Sequence, residues 1–219
     1  MRKLTAVAAS LLAALLMVGE VQAATFTEGP TDVGETLGTA AATGILGGDP
    51  LTEISGLLAT ATDADLYLIQ ITDPSVFSAT TVGLDGADTQ LFLFTAAGDA
   101  VYGNDDDPEG LSLQSTLPSG AASGPLSAGL YYLAVSVAGY DPVNAVSQLL
   151  FAIPTLPTDV VGPAAGVSGP LVGFASSFTG SSGAYSILLT GAATAVPEPS
   201  SLLALLGAGL VVGRRLRRH

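Results

Sequence analysis

From Leu4 to Gly213 the chain contains no lysine, arginine, histidine, cysteine or tryptophan. The six basic residues are confined to the ends, Arg2 and Lys3 at the front and Arg214, Arg215, Arg217 and Arg218 at the back, and the single histidine is His219. These absences remove whole classes of chemistry from the interior. A Ser-His-Asp or Cys-His set, a Schiff-base lysine and a His/Cys zinc site cannot be assembled there. A nucleic-acid or phosphate surface needs Lys or Arg, so nucleic acid is excluded as a partner. With no cysteine there is no disulfide framework. Charged residues make up 11% of the chain, against roughly 25% in ordinary soluble domains. The 27 glycines and 13 prolines point to many turns and no long helix.

What is present is acid. Of 19 Asp and Glu residues, only Glu20 and Glu198 lie outside residues 24–196, so that core carries 17 carboxylates and no basic side chain. No salt bridge between side chains can form within it. Each carboxylate must be solvated, accept hydrogen bonds, or take a cation from outside.

The ends read as addresses. Met1-Arg2-Lys3 precedes a mostly apolar stretch from Leu4 to Val18, and Val21-Gln22-Ala23 offers small residues ahead of Ala24. This is the layout of a secretory signal peptide, residues 1–23, delivered to the Sec machinery and cut between Ala23 and Ala24. A retained anchor is the alternative, and the stretch is short for a membrane span. At the other end Pro197-Glu198-Pro199 leads into an uncharged, mostly apolar run, 201–213, and then into the arginine cluster. That run is marginal as a full span; a plain tail anchor is the bland reading. The arginines would stay cytoplasmic, and the prolines would keep the preceding backbone extended.

The order of tripeptide, short apolar helix with Gly207, Ala208 and Gly209, and basic cluster resembles the PEP-CTERM sorting signal. The resemblance covers residues 197–219. It implies a Gram-negative host, transient anchoring in the inner membrane through the apolar helix, and recognition by exosortase, a membrane-embedded thiol peptidase. The enzyme would remove the tail and release the protein to the envelope or extracellular matrix.

Alternation of apolar residues predicts strands at Asp65–Ile71, Phe77–Leu84, Gln90–Phe94, Leu130–Val137, Leu149–Ile153 and Tyr185–Leu189, separated by Gly/Pro/Asp/Ser turns. Gln90–Phe94 is apolar on both faces, as a central strand is. The expected fold for 24–191 is an all-β, antiparallel β-sandwich or jelly roll, flanked by a signal helix and a short C-terminal helix. Pro154 to Pro170 reads as a long loop, and 192–196 as a linker to the tail. The series Asp63-Ala64-Asp65-Leu66-Tyr67, Asp88-Thr89-Gln90-Leu91-Phe92, Gly98, Asn104 to Asp107, Ser127-Ala128-Gly129-Leu130-Tyr131 and Gly183-Ala184-Tyr185 resembles the pre-peptidase C-terminal type of bacterial domain over about 60–190. That resemblance implies a β-sandwich of the kind that accompanies secreted enzymes, some of which bind calcium or extracellular polymers. The stretch 140–182 departs from it as an insertion.

The densest chemistry lies at Asn104, Asp105, Asp106, Asp107 and Glu109, with Asp85 and Asp88 able to join and Asp63, Asp65 and Asp141 as weaker candidates. Hard cations such as Ca²⁺ take six to eight oxygens, which a carboxylate-rich turn supplies. The spacing is not that of an EF-hand, since Pro108 intrudes and the twelfth position is Thr116. A solvated acidic hairpin tip is the alternative reading. Tyr102 and Tyr140, near turns, are candidates to face a ligand, with structural packing the favoured reading for both, since aromatics at strand positions usually pack. No catalytic residue is assigned. Three functions stay open: a non-enzymatic structural or adhesive protein with Ca²⁺ as its only candidate cofactor, an accessory domain binding carbohydrate (exopolysaccharide), protein or other envelope components, and a hydrolase using carboxylates alone.

Overall fold

The structure is a computed structural model and describes residues 23–44, 47–83, 86–177 and 180–196. The signal helix, the tail helix, Asp85, the Pro197-Glu198-Pro199 motif and the arginine cluster all lie outside those residues. The described residues are all β, with no helix. In chain order the strands are β1 (Ala24–Thr27), β2 (Ala41–Ala42), β3 (Leu51–Leu58), β4 (Ala64–Ile71), β5 (Ser78–Thr80), β6 (Thr89–Thr95), β7 (Ala100–Asn104), β8 (Thr116–Leu117), β9 (Gly129–Val137), β10 (Tyr140–Val143), β11 (Gly173–Ser176), β12 (Gly183–Thr190) and β13 (Ala192–Thr194).

One sheet runs β1-β3-β12-β5-β8 and a second runs β13-β4-β9-β6-β7, with β2 also on β4; β10 and β11 form a separate ribbon. Leu51, Ile54, Leu58, Ile187 and Leu189 from the first sheet share one buried cluster with Tyr67, Ile69, Leu91, Leu93, Leu133 and Val135 from the second. That shared core makes the architecture consistent with a β-sandwich. Alternate residues of a strand point to opposite faces, so the odd-numbered positions of β4, β6 and β9 face inward. Their even-numbered neighbours Leu66, Phe92, Phe94 and Ala134 form a second cluster with Leu150, Phe151 and Leu171. The segment 140–177 therefore lies over the outer face of the second sheet, which is why β4 and β6 are apolar on both sides. Phe151 seals it, 4.9 Å between ring centroids from Phe92 and 5.4 Å from Phe94, contacts of about 0.5–1.5 kcal/mol each beyond burial.

Four expectations change. The sheets are mixed rather than antiparallel, because β1 pairs parallel with β3 and β2 parallel with β4. Leu149–Ile153 is not a strand; it makes isolated bridges, Leu149 with Val143 and Phe151 with Pro163, as it crosses the outer cluster. The strand expected over Phe77–Leu84 is only Ser78–Thr80, since Val82 and Gly83 turn and Gly83 takes a positive φ. The residues read as a linker instead supply β13, antiparallel to β4 through Ala192, Ala193 and Thr194. Strand β3 escaped prediction because its buried residues, Leu51, Ile54 and Leu58, are spaced as on a helix. A register shift between Ala24 and Thr25, which pair with Leu51 and Glu53, skips Thr52 and breaks the alternation.

Candidate cation sites

Position 65 is on the inward face of β4, in line with Tyr67, Ile69 and Ile71, where the pattern calls for a hydrophobic side chain. The residue there is Asp65, with no solvent exposure. Tyr185, an inward residue of β12, donates from its hydroxyl to Oδ2 of Asp65 at 2.6 Å. It also meets the hydroxyl of Tyr67. Oδ1 of Asp65 is buried and has no hydrogen-bond partner. Desolvation is the main cause that pushes the Asp65 carboxyl up to about 8; the Tyr185 hydrogen bond opposes it, and Glu28, Asp63 and Asp32 add to it. Burial also drives the Tyr67 and Tyr185 hydroxyls far above the usual phenol range, so both stay protonated donors.

The loop after β1 brings two further carboxylates to this point. Carboxylate oxygens of Glu28, Asp32 and Asp65 lie within 4.8 Å of one another. Glu28 is held by two backbone donors, Val33 N–H to Oε1 at 3.1 Å and Leu57 N–H to Oε2 at 2.8 Å. Gly56, directly opposite Tyr185 in the ladder, leaves the space they need. A Cβ there would sit 2.4 Å from the Tyr185 hydroxyl and 2.6 Å from Oε2 of Glu28. Asp32, which is exposed, is raised by desolvation and by Asp63 and Glu28. Of this trio the sequence points to Asp65 alone, and only as a weaker candidate to join the acidic loop; Glu28 and Asp32 carry no such signal. The available signal was an Asp at an inward position of a clean strand pattern.

The acidic loop is divided by the fold. Asp105 and Asp106 come together with Asp88, again with oxygens within 4.8 Å, and Oδ1 of both Asp88 and Asp105 is buried without a partner. Burial raises Asp105 to about 7, helped by Asp106, Asp88 and Asp141. Asp88 is raised by burial and by Asp106. Asp107 and Glu109 are not part of this group; Asp107 is buried and Glu109 exposed. Asn104 is buried and fully engaged as a strut. Its Oδ1 accepts from Thr116 N–H at 3.0 Å and from Ser115 Oγ at 3.2 Å, and its Nδ2 donates to the carbonyls of Thr158 and Asp159 at 3.4 and 3.3 Å.

The two tyrosines also part company. Tyr102 is fully buried, facing the core instead of a ligand. Tyr140 is half-buried, stacked on Phe174 at 5.4 Å, and its hydroxyl donates to Oε2 of Glu35 at 2.9 Å.

Beyond the sandwich, the end of the chain decides the address. Residues 195–218 match the PEP-CTERM protein-sorting motif. The PEP-CTERM tail marks the chain as an exported protein of Gram-negative type that exosortase processes. The described part of the PEP-CTERM match, Ala195 and Val196, adjoins β13; the Ala195 N–H donates to Oγ1 of Thr43 at 3.0 Å. The sorting tail therefore leaves directly from the edge of a sheet. No curated protein matches the chain.

Proposed function

We propose that the exported core is a non-catalytic component of the envelope or extracellular matrix that works with divalent cations taken from outside, Ca²⁺ first among them. One observation carries the reading: Asp65 is a carboxylate without exposure, one oxygen unpartnered, beside Glu28 and Asp32 in a domain without a basic side chain. A buried carboxylate must be protonated or matched by positive charge. With Asp65 pushed up to about 8, proton and cation compete for it near neutral pH. Ca²⁺ accepts six to eight oxygens in a flexible arrangement. Three carboxylates would supply part of the set, and backbone carbonyls and water the rest.

Such an ion would fasten the 28–33 loop and β1 to the sandwich, doing for this cysteine-free domain what a disulfide does in other exported domains. The group at Asp88, Asp105 and Asp106 is a second place where external cations would concentrate. Adhesion or matrix cohesion through shared cations fits a carboxylate-rich surface sorted by exosortase. The absence of His, Cys, Lys and Arg from the core favours a binding role over catalysis. The resemblance of residues 60–190 to pre-peptidase C-terminal-type domains supports the same reading.

Calorimetric titration with CaCl₂, against NaCl of matched ionic strength, tests it. A saturable heat with Ca²⁺ alone is expected. Heats that follow ionic strength only would sink the proposal.

A further inference from the structure

Charge is unevenly placed on the sandwich. Asp63, Asp88, Asp105, Asp106, Asp107 and Glu109 gather at one end, where β4 and β6 begin and β7 and β9 finish. At the other end, where β6 turns into β7 and β9 begins, the loops are nearly neutral. Residues 110–140 and 160–196 contain no charged side chain, and Asp99 is the one carboxylate in the turn 95–99. A groove of about 340 Å³ opens at this end. Ala100, Val101, Pro125, Tyr131 and Pro163 supply its wall, and Leu126, 94% exposed, stands at its rim. Of its polar side chains, Thr95 accepts through Oγ1 from the N–H groups of Ala97 and Asp99 at 3.3 and 3.2 Å, and the Tyr131 hydroxyl donates to the Ser127 carbonyl at 2.9 Å. Val146 is a second exposed aliphatic side chain here. Its loop is held at this end because the Leu171 N–H donates to the Gly98 carbonyl and Asn144 Nδ2 to the Ser168 carbonyl, both at 3.0 Å.

We propose that two copies of the chain meet at this nearly neutral end, each placing Leu126 in the other's groove about a two-fold axis. A two-fold contact needs a self-complementary surface, and here a protruding apolar side chain and an apolar groove lie side by side on one molecule. Charge selects the same end. The core carries 17 carboxylates and no basic side chain, so copies that approach through their acidic ends repel one another. Through the groove they bring only Asp99 from each turn. A hydroxylated sugar would look for free donors and acceptors, whereas Thr95 and Tyr131 are committed within the protein. An anionic bilayer is met through Lys and Arg, which residues 24–196 lack. The dimer would turn its two acidic ends outward, open to external cations on both sides. This inference does not rest on the calcium reading, which concerns carboxylates at the opposite end.

Because the chain has no cysteine, a single introduced thiol reports where copies meet. The test uses the full chain in a large excess of detergent micelles, with chelator throughout and a short bis-maleimide as cross-linker. Ala128→Cys, exposed beside Leu126, should give a cross-linked dimer, and Glu109→Cys, exposed at the acidic end, should not. The dimer yield should rise between about 0.01 M and about 0.15 M NaCl, as the screening length shortens from about 30 to about 8 Å and repulsion between copies fades. In the Ala128→Cys background, Leu126→Ala should weaken the dimer about a hundredfold, about tenfold for each of its two leucines. Leu126→Asp should abolish it, and both variants should melt as the unaltered protein does, since the side chain is exposed. Equal cross-linking through Glu109→Cys would overturn the proposal, because the contact would then run through the apolar tails. An undiminished dimer in Leu126→Asp, a dimer that needs Ca²⁺, or no dimer at any salt concentration would also overturn it. With no dimer, an environment-sensitive dye on the Ala128→Cys thiol that reports apolar surroundings at every protein dilution would assign the face to lipid instead.

Discussion

The Tyr185 hydroxyl, on the first sheet, donates to the buried carboxylate of Asp65 on the second at 2.6 Å, so a polar bond crosses the interior of the sandwich. The bond satisfies one oxygen of Asp65 and leaves the other without a partner. An unsatisfied buried charge is among the costliest arrangements in a core. The site is stable in a given medium only with a proton or a cation in place.

Replacing that charge should separate the two remedies. For the unaltered protein at pH 8, Ca²⁺ at about a hundred times its dissociation constant should add ~2.7 kcal/mol, or about 5–10 °C in the melting midpoint for a domain of this size. Asp65→Asn should melt higher than the unaltered protein in chelator and should gain nothing from Ca²⁺. A Ca²⁺ shift of the same size in Asp65→Asn would count against the trio.

Stability without divalent cations should fall as pH rises. The Asp65 carboxyl is raised from 3.8 to about 8 in the fold, so between those values the folded state holds a proton that the unfolded chain has released. Folding is then favoured at the acidic end, and the advantage is lost as pH passes through about 8. Glu28, Asp32 and Asp63 act on Asp65 in the same direction, and Tyr67 and Tyr185 stay neutral donors throughout. Denaturant midpoints in chelator should decline from pH 5 to pH 8.5, and saturating Ca²⁺ should flatten the decline. A midpoint that rises over that range in chelator contradicts the assignment.

Gly56→Ala should destabilise the domain by about 1–3 kcal/mol, the usual cost of overpacking. The added methyl would fall on the Tyr185 hydroxyl and on Oε2 of Glu28. The urea midpoint should drop and the Ca²⁺ response should weaken with it. An intact Ca²⁺ response would mean that Glu28 contributes nothing to the ion.

Asn104→Ala should cost about 2 kcal/mol or more, because it strips partners from buried and part-buried groups in two segments. The loss should be the same with Ca²⁺ and with chelator. A loss confined to Ca²⁺ conditions would return Asn104 to the ligand role that its place in the acidic run suggests.

Glu198→Ala should leave the tail attached. Intact-mass measurement of the protein from an exosortase-bearing host should show residues 200–219 retained, with the protein in the inner-membrane fraction. Normal processing would show that the motif is dispensable here.

Much of this protein is readable along the chain. Sorting signals are contiguous and are read by machinery as extended or helical segments, so Pro197 to Arg218 can be recognised without a fold. The absence of basic residues between Leu4 and Gly213 is likewise a property of composition, and it leaves the carboxylates only solvent, hydrogen bonds or external cations as partners. Strands β4, β6, β9 and β12 follow from alternation, which reports what shares a face.

Alternation does not report which face meets which. Phe92 and Phe94 face outward and are buried only because 140–177 folds back over them. The oxygens of Glu28, Asp32 and Asp65 meet because β1 pairs parallel with β3 and β12 brings Tyr185 opposite Gly56. The run Asn104 to Glu109 is continuous in sequence and divided in space: Asn104 turns to the backbone, Glu109 to solvent, and Asp105 with Asp106 to Asp88. Long-range pairing decides these outcomes, because a carboxylate's chemistry depends on the solvent and charge around it, and those come from residues remote in the chain.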